Sequence, residues 1–262
     1  MASGTSSRST PPRPERGGAG APVPAARAPG RRAAGAGQVV GAPDPVALAA
    51  LLDREAPLQP APLCPEVQVF QGRELIAVWE AAERLAGGPL PAPFWAYPWP
   101  AGAALARVVL DAPERVRHRR VLDLGTGGGL AALAAARAGA AEVVANDIDP
   151  WALATARLAA ARQRLELTTL QADLTAQDAA GRELDAYDVV LCADLYYERR
   201  TAPRLRALLE RARRAGAEVL VADAGRTYFD PAGLVLLAEY DVAVPADVEG
   251  VERRLARVYR LA

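Results

Sequence analysis

At 262 residues and 27.5 kDa, the chain is long enough for one large domain or two small ones with an independently stable core. Hydrophobic residues make up 51% and charged residues 24%, which excludes a fibrous or wholly disordered chain. The formal net charge of zero divides unevenly: residues 1–43 carry six arginines against Glu15 alone, while residues 44–262 carry 25 arginines against 30 acids, so the body is acidic and by count lacks a basic footprint for nucleic acid.

Residues 1–43 hold eight glycines and seven prolines and almost no branched aliphatic side chains. So little apolar surface cannot offset the entropy of ordering, so a disordered tail is expected, with one folded domain over 44–262. The tail lacks the apolar stretch of a secretory signal, and its prolines and glycines spoil the amphipathic helix of an organelle transit peptide. No apolar run reaches the roughly 18 residues of a membrane span, so no membrane partner is expected.

Within the body, Pro45 to Asp53 reads as a short helix. A proline-rich stretch (Pro57, Pro60, Pro62, Pro65) then leads into a strand over Glu66 to Phe70. From Arg73 to Ala86, the residues Leu75, Ile76, Trp79, Ala82 and Leu85 fall at helical spacing and Gly87 and Gly88 provide a stop. The block Pro93-Phe94-Trp95-Ala96-Tyr97-Pro98-Trp99-Pro100 suits no regular element, because each proline fixes φ and removes a donor. Residues 44–102 thus form a helical and tryptophan-rich extension.

Helices and strands alternate thereafter. Helices are expected over Ala103 to Leu110, Leu130 to Ala138, Pro150 to about Arg164 with Asp149 as N-cap, and Pro203 to Ala215. Strands are expected over Arg120 to Leu124, Glu142 to Asn146, Leu167 to Gln171, Asp188 to Ala193 and Glu218 to Ala222. A last helix over Pro231 to Ala238 precedes strands at Tyr240 to Val244 and Arg257 to Leu261. Such alternation, with continuous apolar strands, predicts an α/β fold around a mostly parallel sheet with helices on both faces.

The reactive residues are few. Cys64 and Cys192 make neither a CxxC pair nor a disulfide framework, so a reducing, cytoplasmic location is expected, with the mitochondrial matrix as the alternative if the tail is a transit peptide. The one histidine, His118, lies in a run with Arg115, Arg117, Arg119 and Arg120 and reads as surface. No metal site is expected, and a zinc cluster of cysteines and histidines is excluded.

The sharpest feature runs from strand into helix: Val121-Leu122-Asp123-Leu124-Gly125-Thr126-Gly127-Gly128-Gly129. Glycines there allow a tight turn and a close approach to a ligand. Gly127, Gly129 and Ala132 also fit a G-x-G-x-x-A dinucleotide pattern, so a nicotinamide or flavin cofactor stays a candidate. Asp123 shifts the balance, since a carboxylate two residues before the first glycine suits an ammonium and is awkward beside a pyrophosphate. S-adenosyl-L-methionine carries an ammonium and a sulfonium, and no phosphate. Asp147, 22 residues after Gly125, sits where an acid accepts hydrogen bonds from ribose hydroxyls. Asp173 follows the next strand, within reach of an adenine amino group or as a plain loop acid. At the end of the fourth strand, Ala193-Asp194-Leu195-Tyr196-Tyr197-Glu198 replaces the Asn/Asp-Pro-Pro-Tyr/Phe of enzymes that methylate planar amides or base amines. Its Asp-x-x-Tyr supplies a carboxylate and a phenol, a pairing suited to a flexible amine.

These segments, with Trp95 to Gly102, Ala145 to Pro150 and Asp223-Ala224-Gly225-Arg226, resemble the lysine methyltransferases that modify the β-subunit of electron-transfer flavoprotein. The likeness runs from about Leu63 to the C-terminus and departs at Ala101, where the family often has glycine. It implies a Rossmann-like class I methyltransferase fold with a seven-stranded sheet and S-adenosyl-L-methionine as donor. The acceptor implied is a lysine ε-amine on a folded protein, the flavoprotein β-subunit. By the same resemblance Trp99 contacts the cofactor together with Asp123, Gly125, Gly127, Gly129, Asp147 and Asp173, while Asp194 and Tyr197 lie at the lysine channel. A monomer is expected. The alternative is an enzyme of the same fold acting on another protein, such as a ribosomal one, or on a small amine.

Overall fold

The computed structural model of the chain describes residues 41–176 and 184–262. Nearly all of the expected N-terminal tail, residues 1–40, lies outside the described residues.

Helix α1 (Pro45–Glu55) is capped by Asp44, whose side chain accepts the N–H of Ala47. The expected strand over Glu66 to Phe70 lies within β2 (Cys64–Phe70), and the proline-rich stretch before it, for which no element was expected, supplies β1 (Leu58–Ala61), the other half of an antiparallel hairpin. Pro60 is tolerated because it is exposed and the register slips between Pro60 and Ala61, a bulge where no ladder donor is needed. Helix α2 (Leu75–Ala86) stops at Gly87, which takes the left-handed conformation at φ +70°. Its buried residues are Val78, Ala81 and Ala82; of the expected apolar stripe, Ala82 is buried and Leu75 and Trp79 pack against the core, whereas Ile76 is 58% exposed and Leu85 also faces out.

The main sheet has seven strands: β3 (Arg120–Leu124), β4 (Glu142–Asp147), β5 (Thr168–Gln171), β6 (Val189–Ala193), β7 (Glu218–Asp223), β8 (Leu234–Ala243) and β9 (Arg253–Leu261). They lie in the order β5-β4-β3-β6-β7-β9-β8. β3 to β7 run parallel, and β9 is antiparallel to both its neighbours. The expected helix over Pro231 to Ala238 is absent: Leu234 onward belongs to β8, paired from Leu234–Leu261 to Ala243–Arg253. The run Leu-Val-Leu-Leu-Ala has no polar period to make a helix amphipathic, and β9 offers a ladder that decides the matter.

Helices α3 (Pro100–Asp111), α4 (Leu130–Arg137) and α5 (Pro150–Arg162) cover one face of the sheet and α6 (Ala202–Arg214) covers the other. The alternation of each strand divides the core accordingly. Val121, Val143, Ala145, Val189, Leu191 and Leu220 join the first cluster, while Leu122, Val144, Val190, Cys192, Val219 and Val221 join the second. The hairpin lies against α4 and α5. There the side chain of Gln163 replaces a strand neighbour, accepting the N–H of Gln68 and donating to its carbonyl, both at 2.8 Å.

The chain order reverses beside β3, since β4 and β5 lie on one side and β6 and β7 on the other. A crevice forms at such a switch point, beyond the carboxyl ends of the strands, and β3 and β6 end there in the two segments that carry the candidate chemistry.

Candidate active site

The glycine loop leaves β3 under tension from three sides. Gly125, Gly127 and Gly129 all have positive φ, at +66°, +53° and +90°. Below the loop, Asp123 Oδ2 accepts the hydroxyl of Thr126 at 2.6 Å and the N–H of Ala132, in the first turn of α4, at 3.1 Å. Beside it, Asp147 at the end of β4 accepts the N–H of Gly127 at 2.9 Å and of Asp149 at 3.0 Å. Above it lies the tryptophan block: a Cβ placed on Gly128 would stand 2.6 Å from the carbonyl oxygen of Trp95. A Cβ on Gly127 would meet nothing within 4 Å, so the loop is open at that point.

The space beside Gly127 is a cavity lined by Asp123, Gly125 and Thr126, by Phe70 of the hairpin, and by Trp99 and Asp194. Burial pushes the Asp123 carboxyl up to about 6, against the pull of the Thr126 and Ala132 hydrogen bonds. Asp147 is also raised by burial, opposed by its main-chain donors.

At the end of β6, Asp194 adopts a left-handed φ of +56° and is 8% exposed. A non-glycine residue held there costs free energy that the surroundings must supply. Its main-chain N–H reaches the carbonyl of Ala222 at 3.1 Å. Its Oδ2 accepts the N–H of Ala101 at 2.9 Å, and its Oδ1 accepts Nε of Arg226 at 2.7 Å. Since α3 opens with Pro100, which has no N–H, and Trp99 gives no side-chain cap, Asp194 caps that helix from a distant strand. Burial raises its carboxyl pKa, with the Arg226 charge pulling it back.

The structure brings together Trp99, Asp123, Gly125, Gly127 and Asp194 as cavity-lining groups. Gly129 sits behind them, where a Cβ would be 2.8 Å from that of Ala156, so its part is packing of α4 on α5. Asp147 holds the loop through Gly127 and does not line the cavity. Asp173 is exposed and its Oδ1 is taken by the N–H and hydroxyl of Thr175 at 2.9 and 2.6 Å, which is the plain loop-acid alternative. Tyr197 is 56% exposed and stands on the rim, its ring 6.4 Å from Phe94, which in turn lies 5.6 Å from Trp99.

Three groups at the site carry no individual role from sequence, although Gly128 and Arg226 lie in motifs that do. Gly128 is hidden among its glycine neighbours, although it alone is approached by a backbone carbonyl. Arg226 is one arginine among 31, yet its guanidinium pairs with Asp194 and lies 5.1 Å over the ring of Trp99. Glu249 is 2% exposed and accepts from both Arg226 and Arg254.

The donor set discriminates between ligands. In a dinucleotide site the pyrophosphate takes the free N–H groups at the helix N-terminus; here the N–H of Ala132 is already given to a buried carboxylate, and Asp147 adds a second one beside the loop. Those acids would repel a phosphate. They fit the ammonium-bearing, phosphate-free S-adenosyl-L-methionine, with the open glycine loop and the rings of Phe70 and Trp99 as walls.

The comparisons with known proteins agree with this geometry. Residues 121–218, from β3 to β7, match the family described as a methyltransferase domain. The electron transfer flavoprotein beta subunit lysine methyltransferase of Xenopus laevis is 39% identical over 170 residues, 64% of this chain and 66% of that one. The proteins of the same name from Danio rerio and Homo sapiens are 40% and 37% identical over 144 and 152 residues, covering 54% and 58% of this chain. The matched segment spans 54% and 55% of those two relatives' own length. The chain has the class I methyltransferase fold, and in sequence it is a relative of the electron transfer flavoprotein beta subunit lysine methyltransferases.

Proposed function

We propose that the chain is an S-adenosyl-L-methionine-dependent protein-lysine N-methyltransferase whose acceptor is the β-subunit of electron-transfer flavoprotein. The observation that carries this reading is Asp194: a buried carboxylate with a left-handed backbone, fixed by Ala101 and Arg226 on the wall of a cavity that the Asp123 glycine loop also lines. The names and identities of the relatives support the acceptor.

When bound, the donor supplies a methyl group on a sulfonium centre, which passes to the acceptor's lone pair as the S–C bonding pair returns to sulfur and a proton leaves the nitrogen. Asp123 and the glycine loop hold the donor's amine end, and Phe70 and Trp99 exclude water around it. Asp194 orients the incoming nitrogen, and Tyr197 and Phe94 on the rim guide the aliphatic stem of the lysine. The catalytic gain comes from alignment and fixed charge, with no covalent intermediate. A free lysine has a pKa of about 10.4, so the amine must lose a proton before it can attack. A protein acceptor suits the acidic body, which carries 25 arginines against 30 acids outside the tail.

The test is direct. The purified chain is incubated with radiolabelled donor and either purified flavoprotein or a lysate, and the labelled residue is mapped. Label on a lysine of the flavoprotein β-subunit is expected; label on another protein or on a small amine instead replaces the acceptor while keeping the chemistry.

A further inference from the structure

Arg226 follows β7 in the turn Asp223-Ala224-Gly225-Arg226. Asp223 Oδ1 accepts the N–H groups of Gly225 at 2.7 Å and Arg226 at 2.8 Å, which folds the chain back across the ends of β6 and β7. The guanidinium is thereby fixed at three points. Nε donates to Asp194 at 2.7 Å, a terminal nitrogen donates to Glu249 at 3.3 Å, and the plane lies 5.1 Å over Trp99. The side chain is 11% exposed and its acidic partners 8% and 1%. Exposure this low leaves little room for the exchange and screening that weaken surface pairs.

We propose that Arg226 is a positioning residue of the acceptor site, clamping the Asp194 carboxylate and the Trp99 indole into one frame and offsetting the carboxylate's charge so that the acceptor amine enters as its neutral form. This rests on the lysine-methyltransferase reading above.

The electrostatics require such a group. A lone carboxylate beside a lysine stabilises the ammonium and withholds the lone pair that must attack. Asp194 would do this, and it is surrounded by more negative charge than positive unless Arg226 is counted. Asp223 ends the neighbouring strand and Glu249 follows β8, while Arg254 is engaged with Glu249; the Cys192 thiol, two residues back in β6, is kept neutral by burial. The one N–H that faces Asp194 from α3 is that of Ala101. Without Arg226 the carboxylate either stays charged and holds the amine protonated, or takes up a proton and no longer orients it. Both outcomes move methyl transfer to higher pH.

The experiment uses the full chain with Arg226→Gln, Arg226→Lys and the charge-balanced pair Arg226→Gln with Glu249→Gln. Affinity for S-adenosylhomocysteine is measured by calorimetry, and transfer from radiolabelled donor to purified flavoprotein is followed across pH. Arg226→Gln is expected to lower kcat/KM at least about 30-fold near pH 7 and to recover to within about threefold of wild type near pH 9.5. Arg226→Lys, which restores charge without the planar fork, returns the pH profile most of the way. Homocysteine-nucleoside affinity stays within about threefold in every variant. If Arg226→Gln does not fold, the paired variant carries a shift in the same direction, smaller because the Glu249 charge is removed as well. A loss equal at every pH, or no loss, overturns the inference while leaving the function intact. A wild-type chain that labels no lysine overturns both.

Discussion

The carboxylate of Asp194 accepts the main-chain N–H of Ala101 at 2.9 Å across 93 residues of sequence, so the acceptor wall and the tryptophan block are a single unit. Asparagine at 194 can still accept that N–H through its amide oxygen, but carries no charge. Asp194→Asn is therefore expected to reduce methyl transfer at least about 100-fold while S-adenosylhomocysteine affinity stays within about threefold. Asp194→Ala removes the cap as well and leaves Arg226 short of a buried partner, so it should also lose about 3 kcal/mol of stability, read as a lower Tm. Equal turnover of Asp194→Asn and wild type would remove the carboxylate from the mechanism.

Gly127 and Gly128 are adjacent and should fail for different reasons. At Gly127, φ is +53° and a Cβ would project into open space. Alanine there costs about 1–2 kcal/mol for its conformation, a Tm loss of several degrees, and its methyl group narrows the cavity, so affinity for S-adenosylhomocysteine should drop about tenfold or more. At Gly128 the Cβ would collide with the Trp95 carbonyl at 2.6 Å, backbone against backbone. Gly128→Ala should lower Tm by more than Gly127→Ala, because the loop or the tryptophan block must move. Melting curves with and without the nucleoside separate the two effects.

The parallel strands and their helices were legible because they carry local signals. Asp149 followed by Pro150 marks the start of α5, and the Asp149 side chain does accept the N–H of Trp151 at 2.8 Å. The glycine loop and Asp194 were legible for the same reason, each being a short pattern at a strand end. What escaped depends on partners distant in sequence. Leu234 to Ala238 became a strand because β9 returns to pair with it, and Pro60 became part of a hairpin because a bulge spares its missing donor. Glu249 carries no pattern at all, and Arg226 belongs to a recognisable segment that gives it no role: both matter through a buried network drawn from β6, β7 and the segment after β8. Ile76 illustrates the converse, since it falls at helical spacing with apolar neighbours yet is 58% exposed.

The rim offers a separate test of the acceptor path. Phe94 and Tyr197 are 43% and 56% exposed, which is unusual for neighbouring aromatic rings, and Phe94 connects Tyr197 to the cavity wall at Trp99. Replacing either ring by alanine should raise KM for the protein acceptor about threefold to tenfold while kcat changes less, since the contact is made equally before and during transfer. Tyr197→Phe keeps the ring and should restore KM. Should Tyr197→Phe instead reduce kcat as strongly as Tyr197→Ala, the hydroxyl rather than the ring surface would be the contributing group.

Two buried acids give stability and ligand affinity opposite dependences on pH. Burial pushes Asp223 up to about 7 and Asp123 to about 6, above the reference of about 3.9 for the unfolded chain. A folded-state pKa raised in this way means that the native protein binds more protons than the unfolded one between about pH 4 and about pH 7, so stability falls as pH rises through that window. Tm should accordingly be higher near pH 6 than near pH 8. Asp223→Asn should flatten part of that slope, because Oδ1 of Asp223 makes the turn's hydrogen bonds and its Oδ2 has no partner. S-adenosylhomocysteine binding should run the other way. Its ammonium calls for an ionised Asp123, so affinity should weaken as pH falls through about 6, and Asp123→Asn should bind weakly at every pH. A titration in which affinity rises on acidification would show that Asp123 does not receive the amine.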